Sequence, residues 1–274
     1  MMDLKGITLC AVDCSTHELA ARALAISLSR CRFERALFLT DRQMALDGVE
    51  VRPIPTIASI LDYSTFVLTR LVEYIETDFV LLIQWDGYIL SADAWQREFL
   101  DYDYIGARWA HVPGAEVGNG GFSLRSRRLL EATADPGFVV GHPEDAAVCI
   151  VNRSRLRLAH ALRFAPPALA DRFSYERVND GGPHFGFHGL FNMGDVLTAD
   201  ELPSFLAMLP PRVASSTEML ELVLRYYLAG WLPEAKLVWG RAVALSSEER
   251  MTAFLAQHIR PESLAPVLLA ALKM

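Results

Sequence analysis

The sequence predicts an α/β fold with a mostly parallel central sheet, followed by a small all-helical C-terminal region. Short apolar runs alternate with amphipathic helical stretches through the first part of the chain, which is the signature of a doubly wound sheet. One run, Phe79-Val-Leu-Leu-Ile83, is apolar throughout, as a strand buried on both faces must be. Beyond about Thr198, Pro203, Pro210 and Pro211 punctuate the chain and the helical pattern continues to the end. These observations divide the chain into residues 1–197 and 198–274.

Taken in order, Ile7–Val12 reads as a strand ending at Asp13. Thr16 is an N-cap candidate for a helix over His17–Arg30, in which Leu19, Ala23 and Ile26 mark an apolar side. Arg35–Leu39 is a second strand, ending at Thr40-Asp41. Val49–Ile54 is a third, stopped by Pro53 and Pro55. A helix over Ser64–Ile75 leads into the strand that ends at Gln84-Trp85-Asp86-Gly87. A short helix is expected over Ala94–Leu100, a strand from Asp103 towards Trp109, and a strand restarting over Asn119–Leu124. A helix follows over Ser126–Thr133. Pro143 with Glu144 and Asp145 reads as another helix start, with acids at the positive end of the dipole. Four tail helices are expected at Glu218–Leu228, Pro233–Leu245, Glu248–His258 and Leu264–Leu272.

Hydrophobic residues make up 52% of the 274, enough for a sizeable core, and the net charge of −7 argues against a nucleic-acid partner. Two arginine clusters, Arg125/Arg127/Arg128 and Arg153/Arg155/Arg157, read as solvated helix faces. The four cysteines lie mostly in apolar contexts and read as reduced; Cys10 and Cys14 lack a second ligand pair for zinc. With no export signal and no membrane-spanning stretch, a cytoplasmic location is expected.

In parallel sheets ligands bind beyond the carboxyl ends of the strands. Asp13, Asp41 and Asp86 each follow a strand and are therefore expected at that edge. Three carboxylates there would repel one another without a cation or ligand. Asp13 and Asp41 read equally well as turn or cap residues, and Asp86-Gly87 is itself a turn signal.

The motifs Gln84-Trp-Asp-Gly87, Tyr104-Ile-Gly-Ala-Arg-Trp109, Gly118-Asn-Gly-Gly-Phe-Ser-Leu-Arg125, Pro143-Glu-Asp-Ala146, Phe187-His-Gly189 and Phe191-Asn192 occur in a fixed order. That order resembles a poorly characterised, mainly bacterial family of glycosyltransferase-like domains of the GT-A superfamily, with a Rossmann-like sheet. The resemblance spans roughly residues 5–195.

The resemblance implies a nucleoside-diphosphate sugar as donor and a glycan, lipid-linked saccharide or protein hydroxyl as acceptor, with inversion favoured. It places Asp86 at the last acid of an Asp-x-Asp triplet that holds Mn²⁺ or Mg²⁺, with Gln84 standing where the first acid is usual. A hard cation held by one or two carboxylates plus phosphates and water is chemically ordinary. His188 is the implied second ligand, with His184 as a weaker competitor. Asp145 is the implied base and Glu144 an acceptor-binding residue. Asn119, Gly120 and Gly121 would line the donor sugar, with Phe122 beneath it. Arg70 would reach the diphosphate, and Val12, Asp13 and Asp41 the base and ribose. Trp85 and Trp109 are stacking candidates. In the tail, Tyr227-Leu-Ala-Gly230, Glu234-Ala235 and Arg241-Ala242 resemble one tetratricopeptide-like helix pair, a candidate surface for a protein partner. Two other readings stand beside this one. A nucleotidyltransferase is disfavoured by the absence of a Gly-x-x-x-x-Gly-Lys-Ser/Thr loop. A degenerate domain serving as a binding scaffold is suggested by Gln84.

Overall fold

The apolar runs form strands because their residues are buried on both faces. In a computed structural model describing residues 1–259 and 264–273, β1 (Met2–Val12), β2 (Cys31–Thr40), β3 (Glu50–Pro53) and β4 (Phe79–Ile83) run parallel. Further along, β5 (Tyr104–Ile105) and β6 (Phe122–Ser126) complete the sheet in the order β3-β2-β1-β4-β6-β5, with β6 antiparallel to both neighbours. One face packs Cys10, Val12, Leu37, Leu39, Val80 and Leu82 against Phe66 and Val67 of α2 (Ile60–Thr69). The alternating residues Leu9, Ala11, Phe38, Leu81 and Ile83 are buried on the opposite face. Helix α1 (His17–Arg30) buries Leu19, Ala20, Ala23 and Leu24.

The sequence pattern and the structure part at a few places. The helix expected over Ser64–Ile75 begins earlier, because the Ser59 side chain accepts from the Asp62 N–H and caps it, and it ends at Thr69, followed by a 3₁₀ turn over Leu71–Glu73. The expected helix over Ala94–Leu100 is two 3₁₀ segments, Ala92–Ala94 and Arg97–Asp101. Only Tyr104–Ile105 of the segment towards Trp109 joins the sheet. Ser126, expected to start a helix, caps α3 (Arg127–Thr133) with its hydroxyl. Pro143 occupies the N-cap position of the single turn α4 (Glu144–Ala146), which continues as a π turn over Ala147–Val151. Then come α5 (Arg153–Ala159), α6 (Pro167–Phe173), β7 (Ser174–Tyr175) and β8 (Gly186–Phe187), the two strands pairing in parallel. All four cysteines are free, and Cys10, Cys31 and Cys149 are buried.

The chain forms two compact units, Met1–His188 and Gly189–Met274. The division falls before Gly189 rather than after Leu197, because Arg225 donates to Asn192 Oδ1 at 3.1 Å and pairs with Asp195. That ties the turn at Leu190–Asn192 and α7 (Met193–Val196) to the helices beyond. Those are α8 (Leu202–Met208), α9 (Pro211–Ala214), α10 (Thr217–Leu228), α11 (Leu232–Leu245), α12 (Glu248–His258) and α13 (Leu264–Lys273). Arg241 of α11 donates to the carbonyls of Leu206, Ala207 and Leu209, satisfying the C-terminal end of α8. Among the described residues no helix is long and apolar enough to cross a membrane.

Candidate active site

The connection from β1 leads to β2 on one side, and the connection from β3 returns to β4 on the other side of β1. The tips of β1 and β4 therefore flank the switch point of the sheet, where a crevice opens in folds of this kind. Asp13, Asp41 and Asp86 follow β1, β2 and β4 at this edge.

The antiparallel strand β6 starts where β4 ends, with Phe122 opposite Ile83. It delivers Asn119-Gly120-Gly121 to the β4 tip, and Gly121 O accepts the Gln84 N–H at 2.8 Å. Asn119 adopts a left-handed backbone, φ 64°, which asparagine tolerates better than most residues. Strand β8 brings His188 to the same place, its N–H bonded to Tyr175 O at 3.0 Å. His188 Nε2 lies 3.3 Å from Asp86 Oδ1 and 3.1 Å from Gln84 Oε1. Its Nδ1 lies 3.3 Å from Glu176 Oε1 and 3.1 Å from Asn119 Nδ2. Burial works against a charged His188 ring, but Asp86 and Glu176 outweigh it and hold its pKa well above the ordinary histidine value.

The two glycines are required by the protein's own side chains. A Cβ on Gly121 would stand 2.0 Å from His188 Nε2, and one on Gly120 would stand 1.7 Å from Glu144 Oε1. The space expected to face a sugar ring is thus filled from within. Glu144 is buried and pairs with Arg125 at 2.8 Å, so its reading as an acceptor-binding residue gives way to a supporting one. Burial pushes the Glu144 carboxyl up and Arg125 opposes this. For Arg125 burial disfavours the charge, yet Glu144 more than offsets it and keeps the guanidinium protonated. Arg125, expected on a solvated face, is 1% exposed. Its Nε donates to Ser123 Oγ at 2.9 Å, and Ser123 Oγ donates to Gly120 O at 3.1 Å. The Tyr104 hydroxyl donates to Asn119 O at 3.1 Å. This buried polar frame fixes the Asn119–Gly121 backbone.

Asp145 is half-buried. Its Oδ2 accepts the Gly120 N–H at 3.0 Å and its Oδ1 the Ala146 N–H at 2.8 Å. It therefore borders the segment whose other side meets His188. Tyr63, not singled out in the sequence, places its hydroxyl at Gln84; burial raises its pKa.

Other expected residues lie elsewhere or are engaged locally. Asp13 accepts from the Ser15 and Thr16 N–H groups and the Thr16 hydroxyl, so it, rather than Thr16, closes the turn into α1. Asp41 pairs with His17 at 2.9 Å. Val12 is part of the core. Arg70 follows α2 and precedes β4, at the opposite end of the strand from Asp86, and pairs with Glu73. Phe122 packs against Phe173 and Phe185. Trp109 packs against the core, and Trp85 is half-buried beside Asp86. His184 bonds to Asp171 O at 2.6 Å and Asn179 Oδ1 at 3.1 Å, a structural role. Glu176 was missed because only the pairing of two short strands, β7 and β8, sets it beside His188.

For a divalent cation the chain offers a carboxylate oxygen and an imidazole nitrogen side by side. Asp86 Oδ1 is buried without a well-aligned hydrogen bond, which suits a ligand atom. Among the described residues no three of His, Cys, Asp and Glu converge as a complete metal cage. The residues fit a cation whose remaining ligands come from substrate and water.

Residues 48–188, just over half the chain, match the family described as "Protein of unknown function (DUF5672)", and the chain belongs to that family. No curated protein matches it. Among solved structures it is similar to the galactosyltransferase LgtC in complex with donor and acceptor sugar analogues, at 14% identity, 68% of this chain, 86% of that chain and a TM-score of 0.40. It is similar to the apo-form glycosyltransferase GlyE of Streptococcus pneumoniae TIGR4, at 11% identity, 66% of this chain, 53% of that chain and a TM-score of 0.42. A glycosyltransferase involved in glycosylation of the major capsid of PBCV-1 shares 13% identity over 66% of this chain and 91% of its own, with a TM-score of 0.40.

Proposed function

We propose that this protein is a metal-assisted glycosyltransferase that moves a sugar from a nucleoside diphosphate to a hydroxyl acceptor. The observation that carries the reading is the Asp86 Oδ1–His188 Nε2 pair, 3.3 Å apart at the switch point of the sheet. Asp86 and His188 would hold Mn²⁺ or Mg²⁺ there, together with the donor's phosphates. Such a cation supplies Lewis-acid stabilisation of the charge that develops on the leaving diphosphate. Glu176 accepts the His188 Nδ1–H and orients the ring, as outer partners of a ligating histidine do, and the Asn119 amide donates to Glu176 in turn.

Asp145 is the base. The acceptor hydroxyl attacks the anomeric carbon, its proton passes to the Asp145 carboxylate, and the bond to the diphosphate oxygen breaks. Attack opposite the leaving group inverts the anomeric centre. The Gly120 and Ala146 N–H groups hold the carboxylate in place and leave lone pairs for that proton. The acceptor is a hydroxyl on a glycan, a lipid-linked saccharide or a protein.

The test separates binding from transfer. Asp145→Asn is expected to retain donor binding while lowering transfer by about 10²–10⁴-fold. Asp86→Ala is expected to lose metal-dependent donor binding itself. Full activity in both variants would dismiss the site. Binding of nucleoside-diphosphate sugars without any transfer or hydrolysis would point instead to the scaffold reading.

A further inference from the structure

Between Asp145 and Asp171 the chain carries four arginines, Arg153, Arg155, Arg157 and Arg163, and no acidic residue, although the whole chain has a net charge of −7. Arg155 is paired with Asp135 at 3.0 Å. The other three line an open cavity of about 430 Å³, completed by Tyr102, Ala161, Leu162 and Phe164, with no carboxylate in its wall. Among the described residues none of the three makes an ion pair. Two of the guanidinium groups are set by aromatic faces: Arg153 Cζ lies 4.2 Å from the Phe164 centroid and Arg163 Cζ 4.8 Å from that of Tyr102. Arg153 Nε and Nη1 are buried and have no hydrogen-bond partner. Burial, with the like charge of Arg157, presses the Arg153 pKa below its ordinary value, although Cys149 and the Glu116 carboxylate oppose it. Buried donors without acceptors, beside a second positive charge, are costly, and an anion in the cavity would remove both costs.

We propose that this cavity binds a phosphate-bearing ligand through Arg153, Arg157 and Arg163. Planar guanidinium forks match phosphate oxygens in pairs, and three of them suit a dianion or a diphosphate better than a single carboxylate. The site is separate from the Asp86 cluster. Arg163 O accepts the N–H groups of Asp103 and Tyr104, and Tyr104 stands level with Val80 across β6. Arg163 therefore lies at the edge where β4 begins, not where it ends. The proposal does not depend on the glycosyltransferase reading. The phosphate belongs either to a soluble metabolite or to a phospholipid headgroup. The second source is worth testing because Ile150, Val151 and Leu158, on the same segment, are 46%, 62% and 87% exposed.

The experiment is calorimetric titration of the full chain with pyrophosphate in metal-free buffer, alongside flotation with vesicles of phosphatidylcholine alone or with phosphatidic acid. Arg157→Gln and Arg163→Gln, both exposed positions, are each expected to weaken binding roughly tenfold or more. Arg153→Gln should do the same, with circular dichroism reporting its fold. Asp86→Ala is expected to bind as the wild type does. Pyrophosphate binding lost in the arginine variants assigns a soluble ligand; binding only to phosphatidic acid vesicles, lost in the same variants, assigns a headgroup. No binding of either probe, binding unchanged in the arginine variants, or binding abolished by Asp86→Ala alone overturns the proposal.

Discussion

The tips of β1 and β2 and the tip of β4 present aspartates at one sheet edge, yet they are used differently. Asp13 is satisfied by Ser15 and Thr16, its immediate neighbours, and Asp41 by His17. Asp86 meets a histidine from a distant strand, whose ring fits only because Gly121 carries no side chain. Asp13, satisfied within a few residues of itself, serves its own turn, and Asp41 makes an exposed pair with a histidine 24 residues away. A carboxylate that the fold brings against a distant histidine, with a buried oxygen left poorly bonded, is arranged for something else.

Three substitutions sharpen this contrast. The largest effect is expected on the frame beneath the site. Arg125→Leu leaves Glu144 buried and unpaired and should destabilise the protein by about 3–5 kcal/mol in denaturant titration. The double variant Arg125→Leu/Glu144→Leu should recover much of that loss; if it is no better than the single variant, the pair is not the frame described. Next, Gly121→Ala drives a methyl into His188 and should cost about 1–3 kcal/mol, with loss of metal-dependent donor binding. Unchanged binding would show that His188 need not sit where it does.

Asp41→Asn should have the smallest effect, below about 1 kcal/mol, because Asp41 lies at the surface and its pair with His17 is exposed to solvent. The His17 hydrogen bond, helped by Thr56, holds the Asp41 carboxyl below its usual range. Its contribution is therefore complete above the unfolded-state pKa of about 4 and fades as pH falls through the lower folded value. Stability curves of wild type and Asp41→Asn should converge in acid. A gap that persisted or widened there would contradict the assignment.

Much of the fold was legible in the sequence because its signals are local. Phe79–Ile83 could only be a buried strand, and α1 and α12 coincide with their predicted ranges. The position of Asp86 at a strand tip follows from the same pattern. Other features depend on partners far away in the chain. The glycines at 120 and 121 were visible, but what fills their space was not, since Glu144 and His188 arrive from other elements. Arg125 looks like a surface charge until Glu144 is set against it. Arg70 was placed near the donor phosphates because the helix before β4 was read without regard to which end of the strand it reaches. Arg153 and Arg157 read as part of a solvated face until the loop at Ala161–Phe164 sets Arg163 beside them around one open cavity.

The central claim is that Asp86 and His188 bind a sugar nucleotide together with a divalent cation. Its most direct test is calorimetric titration of a panel of nucleoside-diphosphate sugars into wild type and Asp86→Ala, each with Mn²⁺ and with a chelator. The account predicts that at least one donor binds the wild type only with Mn²⁺ and that Asp86→Ala does not bind it under either condition. Donor binding that ignores both the metal and the substitution, or no binding by any donor, would contradict it.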